Sequence, residues 1–259
     1  MDAYLKAFWL PKEGCTEEEY EDAFFPRNAS SLTGERLRFA VADGATEASF
    51  SKLWARLLVR AFVRRSINLP LTLDQLKPLQ EQWAEAVHRK ELPWYAEVKV
   101  ASGAFSSLLG LELTENSATE PIERQWRAVA GGDTCLVQIS DDQIIRSFPL
   151  SESAAFTSRP NLLGSVAGAE VDEIGLVAEC TGTWIAYDQF FLMTDALACW
   201  FLKQSELGKK PWSLLQEVET GGQTSFGDFV AELRTNGELK NDDVTLMKIE
   251  LLPSTPGWD

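Results

Sequence analysis

Apolar residues recur along the chain at two different spacings, and each spacing predicts a different element. Residues 5–10 and 37–42 are short apolar runs typical of buried strands. Over residues 48–66 the apolar positions recur every three or four residues, which predicts a helix with one buried face. Residues 73–90 repeat that pattern, with Pro78 near the start as a kink or a delayed beginning. The first third of the chain therefore predicts two strands followed by two helices.

The middle and the end of the chain return to strand-like spacing and then to helices. Four consecutive segments predict strands, and Asp141-Asp142 predicts a turn that joins the last two as a hairpin. Residues 149–181 are irregular and predict a long functional or mobile loop. The four consecutive strands are 104–113, 125–130, 134–139 and 143–148, and two later strands are predicted at 189–193 and 244–251. The later predicted helices are 196–204, 211–219 and 225–233.

This order of elements predicts an α+β fold. Two blocks of strands, each accompanied by helices, fit an αββα sandwich of two packed, mainly antiparallel sheets with helices outside. The central strands follow one another without intervening helices, which excludes regular βαβ alternation. We expect one domain over residues 1–259, with a loose tail at 253–259.

The net charge of −15 argues against binding to nucleic acid or to an anionic membrane, because phosphates are repelled on average. No stretch reaches 18 apolar residues and the N-terminus lacks a signal-peptide pattern, so we expect a cytoplasmic protein without a membrane span. The four cysteines show no C-x-x-C spacing, and we expect them to be reduced core residues: Cys15, Cys135, Cys180 and Cys199.

Acidic residues stand where apolar segments begin or end. Strand ends of a sheet converge on one edge, and carboxylates that meet in a dry cleft repel one another unless cations are present. Carboxylate oxygens are ligands of Mg²⁺ and Mn²⁺, and a glycine lets a backbone carbonyl approach closely as a further ligand. The candidates for a metal site are Glu21, Asp22, Asp43, Gly44, Asp195 and Asp242.

Each of these acids also has an ordinary structural explanation. Asp43-Gly44 is a common turn dipeptide, and Asp195 could cap the helix that follows it. Asp242 and Asp243 could form an exposed turn, and residues 17–22 form an acidic run typical of a solvated surface. Taken singly each explanation is preferred, but the order and the flanking residues of the whole set favour a metal site.

Other hydrolytic sites lack their residues in this chain. The one histidine, His88, lies late in a predicted helix and is expected to be structural. A nucleophile elbow of the form G-x-S-x-G is absent, as is a phosphate-binding G-x-x-x-x-G-K-[S/T] loop. The sequence therefore does not support a serine or cysteine triad or a P-loop enzyme.

Six segments, in order, resemble those of the metal-dependent serine/threonine protein phosphatases of type 2C, the PPM family. They are EEYEDAF, RFAVADGATE, SGAFSSLLGLEL, WRAVAGGDTCLVQI, FFLMTDALACWFL and NDDVTLMKIEL, and they span residues 18–251. The resemblance implies the αββα sandwich with a site for two Mn²⁺ or Mg²⁺ ions, a third being doubtful. It also implies hydrolysis of phosphoserine or phosphothreonine in a phosphorylated protein, typical of signalling.

The resemblance assigns roles by position. Asp43 would bridge both metals and, with Asp22 orienting a water, form the catalytic pair. Asp195 and Asp242 would hold one metal, and Glu21 and the Gly44 carbonyl would lie at the other. Asp133, in Gly132-Asp133-Thr134, matches an acid associated with a third metal in some members.

The chain departs from the family pattern at several positions. Ala196 replaces a common glycine, Ala45 replaces a frequent histidine, and Cys199 replaces an acid. Glu17 falls near the family's phosphate-binding arginine, which leaves Lys12 or Arg27 as substitutes. An alternative function is therefore a weak or inactive relative that binds a phosphoprotein partner. The sequence leaves the oligomeric state open.

Overall fold

Thirteen strands form two large antiparallel sheets and a small one in the computed structural model, which describes residues 1–27, 29–45, 50–89, 100–167 and 177–252. The strands are β1 (Asp2–Leu10), β2 (Ala23–Phe25), β3 (Ser31–Thr33), β4 (Arg36–Ala42), β5 (Phe105–Ser106), β6 (Leu108–Asn116), β7 (Glu123–Gly131), β8 (Cys135–Ser140), β9 (Gln143–Phe148), β10 (Leu163–Gly164), β11 (Ala178–Thr183), β12 (Gln189–Met193) and β13 (Val244–Leu252).

The strand order brings distant parts of the chain side by side. The six-stranded sheet has the order β3-β1-β13-β12-β8-β9, and the five-stranded sheet has the order β11-β7-β6-β4-β2. The strands β10 and β5 pair separately. The predicted hairpin between β8 and β9 is confirmed, and Asp141 and Asp142 form its turn with φ of 47° and 60°. Aspartate tolerates this left-handed backbone better than most residues.

Helices cover the outer face of each sheet. They are α1 (Ser51–Val63), α2 (Lys77–His88, preceded by a 3₁₀ turn at Leu73–Leu76), α3 (Asp195–Glu206), α4 (Pro211–Thr220) and α5 (Gly222–Thr235). Pro78 lies in the first turn of α2, where its missing N–H costs nothing, so it starts the helix and does not kink it. The exposed His88 ring hydrogen-bonds the Ala84 carbonyl one turn earlier in α2, as expected for a structural histidine.

The core has three layers, and this confirms the αββα sandwich. Alternate side chains of the two sheets meet in a central layer that includes Phe39, Trp126 and Phe190. A second layer packs α3, α4 and α5 against the six-stranded sheet, and a third packs α1 and α2 against the five-stranded sheet. No helix of the described residues is long and apolar enough to span a bilayer.

A buried arginine, paired with a glutamate on the neighbouring strand, links α1 to the five-stranded sheet. Arg38 Nε lies 2.6 Å from Glu112 Oε2, and Arg38 Nη1 donates to the carbonyls of Phe62 and Ile67 at the end of α1. Both charged side chains are buried, so each depends on the other for compensation.

Several predictions from the sequence require correction. The predicted loop at 149–181 ends in strand β11, which pairs with β7, and β2 and β3 were not predicted. All four thiols are free, but only Cys135 is buried, since Cys15, Cys180 and Cys199 are half-buried. The predicted loose tail at 253–259, the first residues of the first predicted helix at 48–49, and residues 168–176 of the predicted loop lie outside the described residues.

Candidate metal centre

Strand register places two pairs of predicted acids opposite one another. Ala23 on β2 pairs with Ala42 on β4, so Asp22, before β2, comes opposite Asp43, after β4. In the other sheet Met193 on β12 pairs with Leu246 on β13, so Asp195 follows β12 close to where Asp242 precedes β13. Asp43 interacts electrostatically with the other three acids, because the two sheets present these strand ends at the same edge.

Asp22 is fully buried and lies at the centre of this edge. Thr245 Oγ1 donates to Asp22 Oδ2 over 2.7 Å, and the Tyr20 hydroxyl donates to Thr245 in turn. The carboxyl group of Asp43 lies within hydrogen-bonding range of Asp22. Within the described residues Asp22 Oδ1 has no donor, so this buried oxygen keeps an acceptor position that a proton, a cation or a water molecule can fill.

The backbone around Asp43 is held by a strand that follows α2. The Asp43 N–H donates to Ser107 Oγ over 2.9 Å, and the Asp43 carbonyl accepts from the Ser107 N–H and from Ser106 Oγ. A Cβ at Gly44 would lie 2.8 Å from the Glu21 carbonyl oxygen. Only glycine permits this close approach of the two loops, which gives a physical reason for the Asp-Gly dipeptide.

Glu21 is held by a residue to which the sequence assigned no role. The Asp243 carboxylate accepts the N–H of Glu21 at 2.6 Å and the N–H of Lys12 at 2.8 Å. The Glu21 side chain accepts from Ser51 Oγ at 2.5 Å, and Lys12 Nζ lies 4.0 Å from Glu21 Oε2. Asp243 therefore positions the loop that carries Glu21, and its place directly after Asp242 was the available signal.

A lysine lies against the other two acids. Lys240 Nζ is 2.6 Å from Asp242 Oδ2 and 3.5 Å from Asp195 Oδ2. Asp195 is the first residue of α3, not its cap, and its Oδ1 accepts the Ala196 N–H at 2.6 Å. Sequence reasoning missed Lys240, because a lysine in a polar loop has no distinguishing pattern. This pair of carboxylates accepts a cation in the structure as it stands.

Burial and mutual repulsion alter the pKa values of the acids. Desolvation, followed by repulsion from neighbouring carboxylates, raises the pKa of Asp43 well above its usual range. Desolvation raises the pKa of Asp22 and of Asp195 too, although the Thr245 and Lys240 contacts oppose it. Partial burial acts to lower the pKa of Lys240, but Asp242 and Asp195 raise it overall.

Asp133 lies beside this cluster, in the turn between β7 and β8. It is 7% exposed, and burial with repulsion from Asp195 raises its pKa to about 6. Gly132 has φ of 94°, and a Cβ there would lie 2.7 Å from Ser107 Cβ. The glycine therefore lets the Asp133 turn pack closely against the strand that holds Asp43.

The side chains of this edge are of the type that binds a hard divalent cation, although they are not arranged around one ion position. The donors are carboxylate oxygens, and Asp22 Oδ1 is buried without a donor. Within the described residues, however, no three histidine, cysteine, aspartate or glutamate side chains are positioned to hold one ion. A shared ion at the Asp195–Asp242 pair would require Lys240 to leave.

The chain matches solved structures in its fold, whereas no protein-family profile and no curated protein matches it by sequence. The chain is similar to the serine/threonine phosphatase PstP/Ppp of Mycobacterium tuberculosis, with a TM-score of 0.57, 14% identity and coverage of 98% of this chain and 100% of that one. It is also similar to PppA of Pseudomonas aeruginosa, with a TM-score of 0.51, 16% identity and coverage of 97% and 100%.

The chain has the PP2C phosphatase fold. The phosphatase domain of SpoIIE from Bacillus subtilis and PstP are both among the proteins that it resembles in structure. The resemblance predicted from the six motifs is thereby confirmed at the level of the fold. A further similar structure is the PstP catalytic domain in complex with two manganese ions, with a TM-score of 0.53, 14% identity and coverage of 97% and 100%.

The departures from the PP2C motifs have distinct structural settings. Ala196 is buried and its N–H still reaches Asp195, so the carboxylate keeps its position at the start of α3. Cys199 lines a cavity of about 320 Å³ beside Asp195 and Lys240, with Lys203 on the same wall. Burial, followed by the Asp195 charge, raises the pKa of the Cys199 thiol, so this residue is not an activated nucleophile.

The pKa of Asp133 predicts how stability depends on pH in the metal-free protein. Its folded pKa of about 6 exceeds the unfolded value of 3.8, so the folded state holds the proton more tightly. The stability that comes from this tighter proton binding is fully present below the unfolded pKa and is lost as pH rises through about 6. We expect Asp133→Asn to raise the free energy of unfolding by about 2–3 kcal/mol near pH 7.5 and by only about 1 kcal/mol near pH 4.5.

Urea unfolding of the EDTA-treated protein at the two pH values measures this effect. Asp228→Asn, at an exposed position on α5, is the matched control for loss of one carboxylate. An equal gain from both variants at neutral pH would show that net charge, and not the buried setting of Asp133, governs the pH dependence.

Proposed function

We propose that this protein hydrolyses phosphomonoesters in a metal-dependent reaction, and that its substrates are phosphoserine and phosphothreonine in cytoplasmic signalling proteins. The observation that carries the proposal is the meeting of Asp22, Asp43, Asp195 and Asp242 at one sheet edge of a PP2C fold. The whole chain would act as one such domain. The two manganese ions of the similar PstP structure support the choice of Mn²⁺ or Mg²⁺.

The ligand assignment follows from the positions of the acids. Asp43 would serve both ions, with Asp195 and Asp242 on one side and Glu21 and the Gly44 carbonyl on the other. Asp133 would serve a third ion. Divalent ions bound there lower the pKa of a coordinated water and neutralise the charge of the phosphate. Convergence of several buried carboxylates is costly without a cation, which supports this assignment.

The surrounding residues would orient the reactants. Asp22 is held by Thr245, which is held in turn by Tyr20. It would accept a proton from the attacking water and so orient a lone pair of the water oxygen toward the substrate phosphorus. Lys12 lies beside Glu21 and would contact the phosphate, whereas Arg27 stacks on the Phe24 ring 4.8 Å away. Lys12 is therefore preferred over Arg27 as the phosphate-binding residue.

Hydrolysis of p-nitrophenyl phosphate tests the proposal. We expect turnover that requires Mn²⁺ or Mg²⁺, disappears with EDTA and returns when the ion is restored. Turnover of a phosphothreonine peptide, detected as released phosphate, then tests the substrate class. An absence of turnover with every divalent ion, in a protein that remains folded by circular dichroism, would refute the enzymatic proposal.

Lys240 gives a prediction about metal affinity. Its ammonium competes with a divalent ion for Asp195 and Asp242, so Lys240→Met is expected to tighten Mn²⁺ binding about tenfold in isothermal titration calorimetry. Lys203→Met is the matched control, because Lys203 lines the same cavity and no ion pair joins it to these acids in the described residues. Equal tightening in both variants would indicate a general charge effect.

The alternative function is a phosphoprotein-binding module without turnover. The contact of Lys240 with two proposed ligands favours it, because a resident ammonium compensates the acids without a metal. A phosphopeptide that binds wild-type protein equally with Mn²⁺ and with EDTA, and is never hydrolysed, would establish this alternative.

A further inference from the structure

A group of five basic side chains lies along α1, next to the candidate metal centre. We call this group the basic strip; it consists of Arg27, Lys52, Arg56, Arg60 and Arg64. The four members from Lys52 onward recur every four residues and therefore lie along one side of the helix. Arg27 follows β2, which packs beside α1, and its charge acts on both Lys52 and Arg56.

No carboxylate of the described residues forms an ion pair with any member of the strip, although the chain carries a net charge of −15. Lys52 Nζ instead donates to the backbone carbonyls of Glu17 and Glu18. Arg27 and Arg64 lie over the rings of Phe24 and Phe25. In the described part of the chain these cations are therefore held by carbonyls and aromatic rings.

The arrangement is electrostatically unfavourable in the isolated protein. Lys52 and Arg56 are half-buried, and burial together with neighbouring guanidinium groups lowers the pKa of each. Asp243 and Glu18 offset only part of this effect at Lys52, and like charges held close together raise the free energy of the folded state. An anionic ligand would relieve this repulsion, so the strip is better suited to a bound state than to the free one.

The strip begins at the candidate metal centre. Ser51, adjacent to Lys52, donates to Glu21, and Glu17 and Glu18 precede the same glutamate by a few residues. From Lys52 to Arg64 the helix rises by about 18 Å. That distance matches about five residues of an extended peptide. When the phosphorylated residue of a substrate lies at the candidate metal centre, a neighbouring segment of the same substrate can thus lie along α1.

We propose that the basic strip binds an acidic segment flanking the phosphorylated residue of the substrate. The inference rests on the proposed function and specifies its substrate class. A short acidic segment fits better than a nucleic acid or a lipid surface, because the rest of this strongly acidic protein repels an extended polyanion. The segment supplies the carboxylates that the strip lacks, and it aligns the phosphorylated residue with the centre.

Two phosphothreonine peptides of equal length, one with aspartate and glutamate flanks and one with glutamine and serine flanks, test the proposal. We expect about a tenfold higher kcat/KM for the acidic peptide, expressed in KM and reduced by added salt. Arg56→Gln/Arg60→Gln/Arg64→Gln should remove this preference and leave p-nitrophenyl phosphate turnover unchanged. Its melting temperature should not fall, because the removed charges repel one another.

A triple variant with the same loss of charge serves as control. Arg89→Gln/Arg146→Gln/Lys209→Gln changes exposed positions outside the strip and should keep the preference for acidic flanks. A fluorescent acidic peptide without phosphate should bind the EDTA-treated wild type, but not the strip variant, in an anisotropy titration. This measurement detects docking without catalysis.

The outcomes separate the two proposals. Turnover of p-nitrophenyl phosphate without any preference for acidic flanks would overturn the docking proposal and leave the proposed function intact. Docking of the acidic peptide without turnover of any substrate would refute the enzymatic proposal and retain the docking surface. Equal loss of preference in the control variant, or strip-dependent binding to phosphatidylserine vesicles but not to the peptide, would overturn the docking proposal.

Discussion

Replacing Asp43 by asparagine is expected to abolish metal-dependent turnover and, in the same protein, to raise the stability of the metal-free fold. Activity should fall about a thousandfold, because the proposed bridging carboxylate accounts for several kcal/mol of charge stabilisation. The free energy of unfolding in EDTA should rise near neutral pH, because the desolvation and buried repulsion that raise the Asp43 pKa are removed. Phosphatase assays and urea unfolding measure the two effects.

A buried carboxylate at the opposite end of β12 provides the control. Asp188 accepts hydrogen bonds from Gln138 Nε2 at 2.8 Å and from the Ile185 N–H at 3.1 Å. Asp188→Asn weakens these charge-assisted bonds, so it should lower stability and preserve turnover per folded molecule. Full activity in Asp43→Asn, or a loss of metal-free stability in that variant, would contradict our assignment of the centre.

Removing the guanidinium of Arg38 is expected to have the largest effect on folding. Arg38→Met leaves the Glu112 carboxylate buried without its partner and frees two carbonyls at the end of α1. The expected cost is about 3–5 kcal/mol in the free energy of unfolding, measured by urea denaturation. Arg38 hydrogen-bonds the end of the helix that carries Ser51 and most of the basic strip. A partial loss of phosphatase activity should therefore accompany the loss of stability.

Two further variants separate a buried pair from a surface pair. Arg38→Met/Glu112→Leu removes both charges and should recover most of the stability lost in the single variant. Lys77→Met breaks the exposed Lys77–Asp74 pair, 2.7 Å apart, and should change stability little. A double variant as unstable as the single one would show that the carbonyl contacts, and not the orphaned charge, set the cost.

Local pattern was sufficient for the regular elements. The β8–β9 hairpin follows from alternating residues on either side of Asp141-Asp142, and α1 follows from apolar positions three and four residues apart. Strand β11 was predicted as loop, because its segment contains glycine and exposed residues and its conformation depends on pairing with β7. Such pairing is a nonlocal interaction, which periodicity cannot report.

The acids of the centre were predictable because they flank apolar strands, but the residues that they contact were not. Asp22 and Asp43 meet through the register of β2 with β4, and Asp195 and Asp242 meet through that of β12 with β13. The supporting role of Asp243 and the contact of Lys240 depend on loops that come together only in the folded chain. Lys240 is an ordinary residue of a polar loop and no sequence signal marked it, whereas the only signal for Asp243 was its place directly after Asp242.

The sequence by itself determined the layered α+β architecture, the position of each acid at a strand end and the motif order that resembles PP2C phosphatases. These features are encoded in side-chain periodicity and in the spacing of residues, which are local properties of the chain. Only the tertiary structure decided that Arg38 and Glu112 are buried together, that Lys240 lies against two acids and that the basic strip begins at the centre. Burial and charge pairing depend on which distant residues become neighbours, and only the complete fold of sheets, helices and loops settles that.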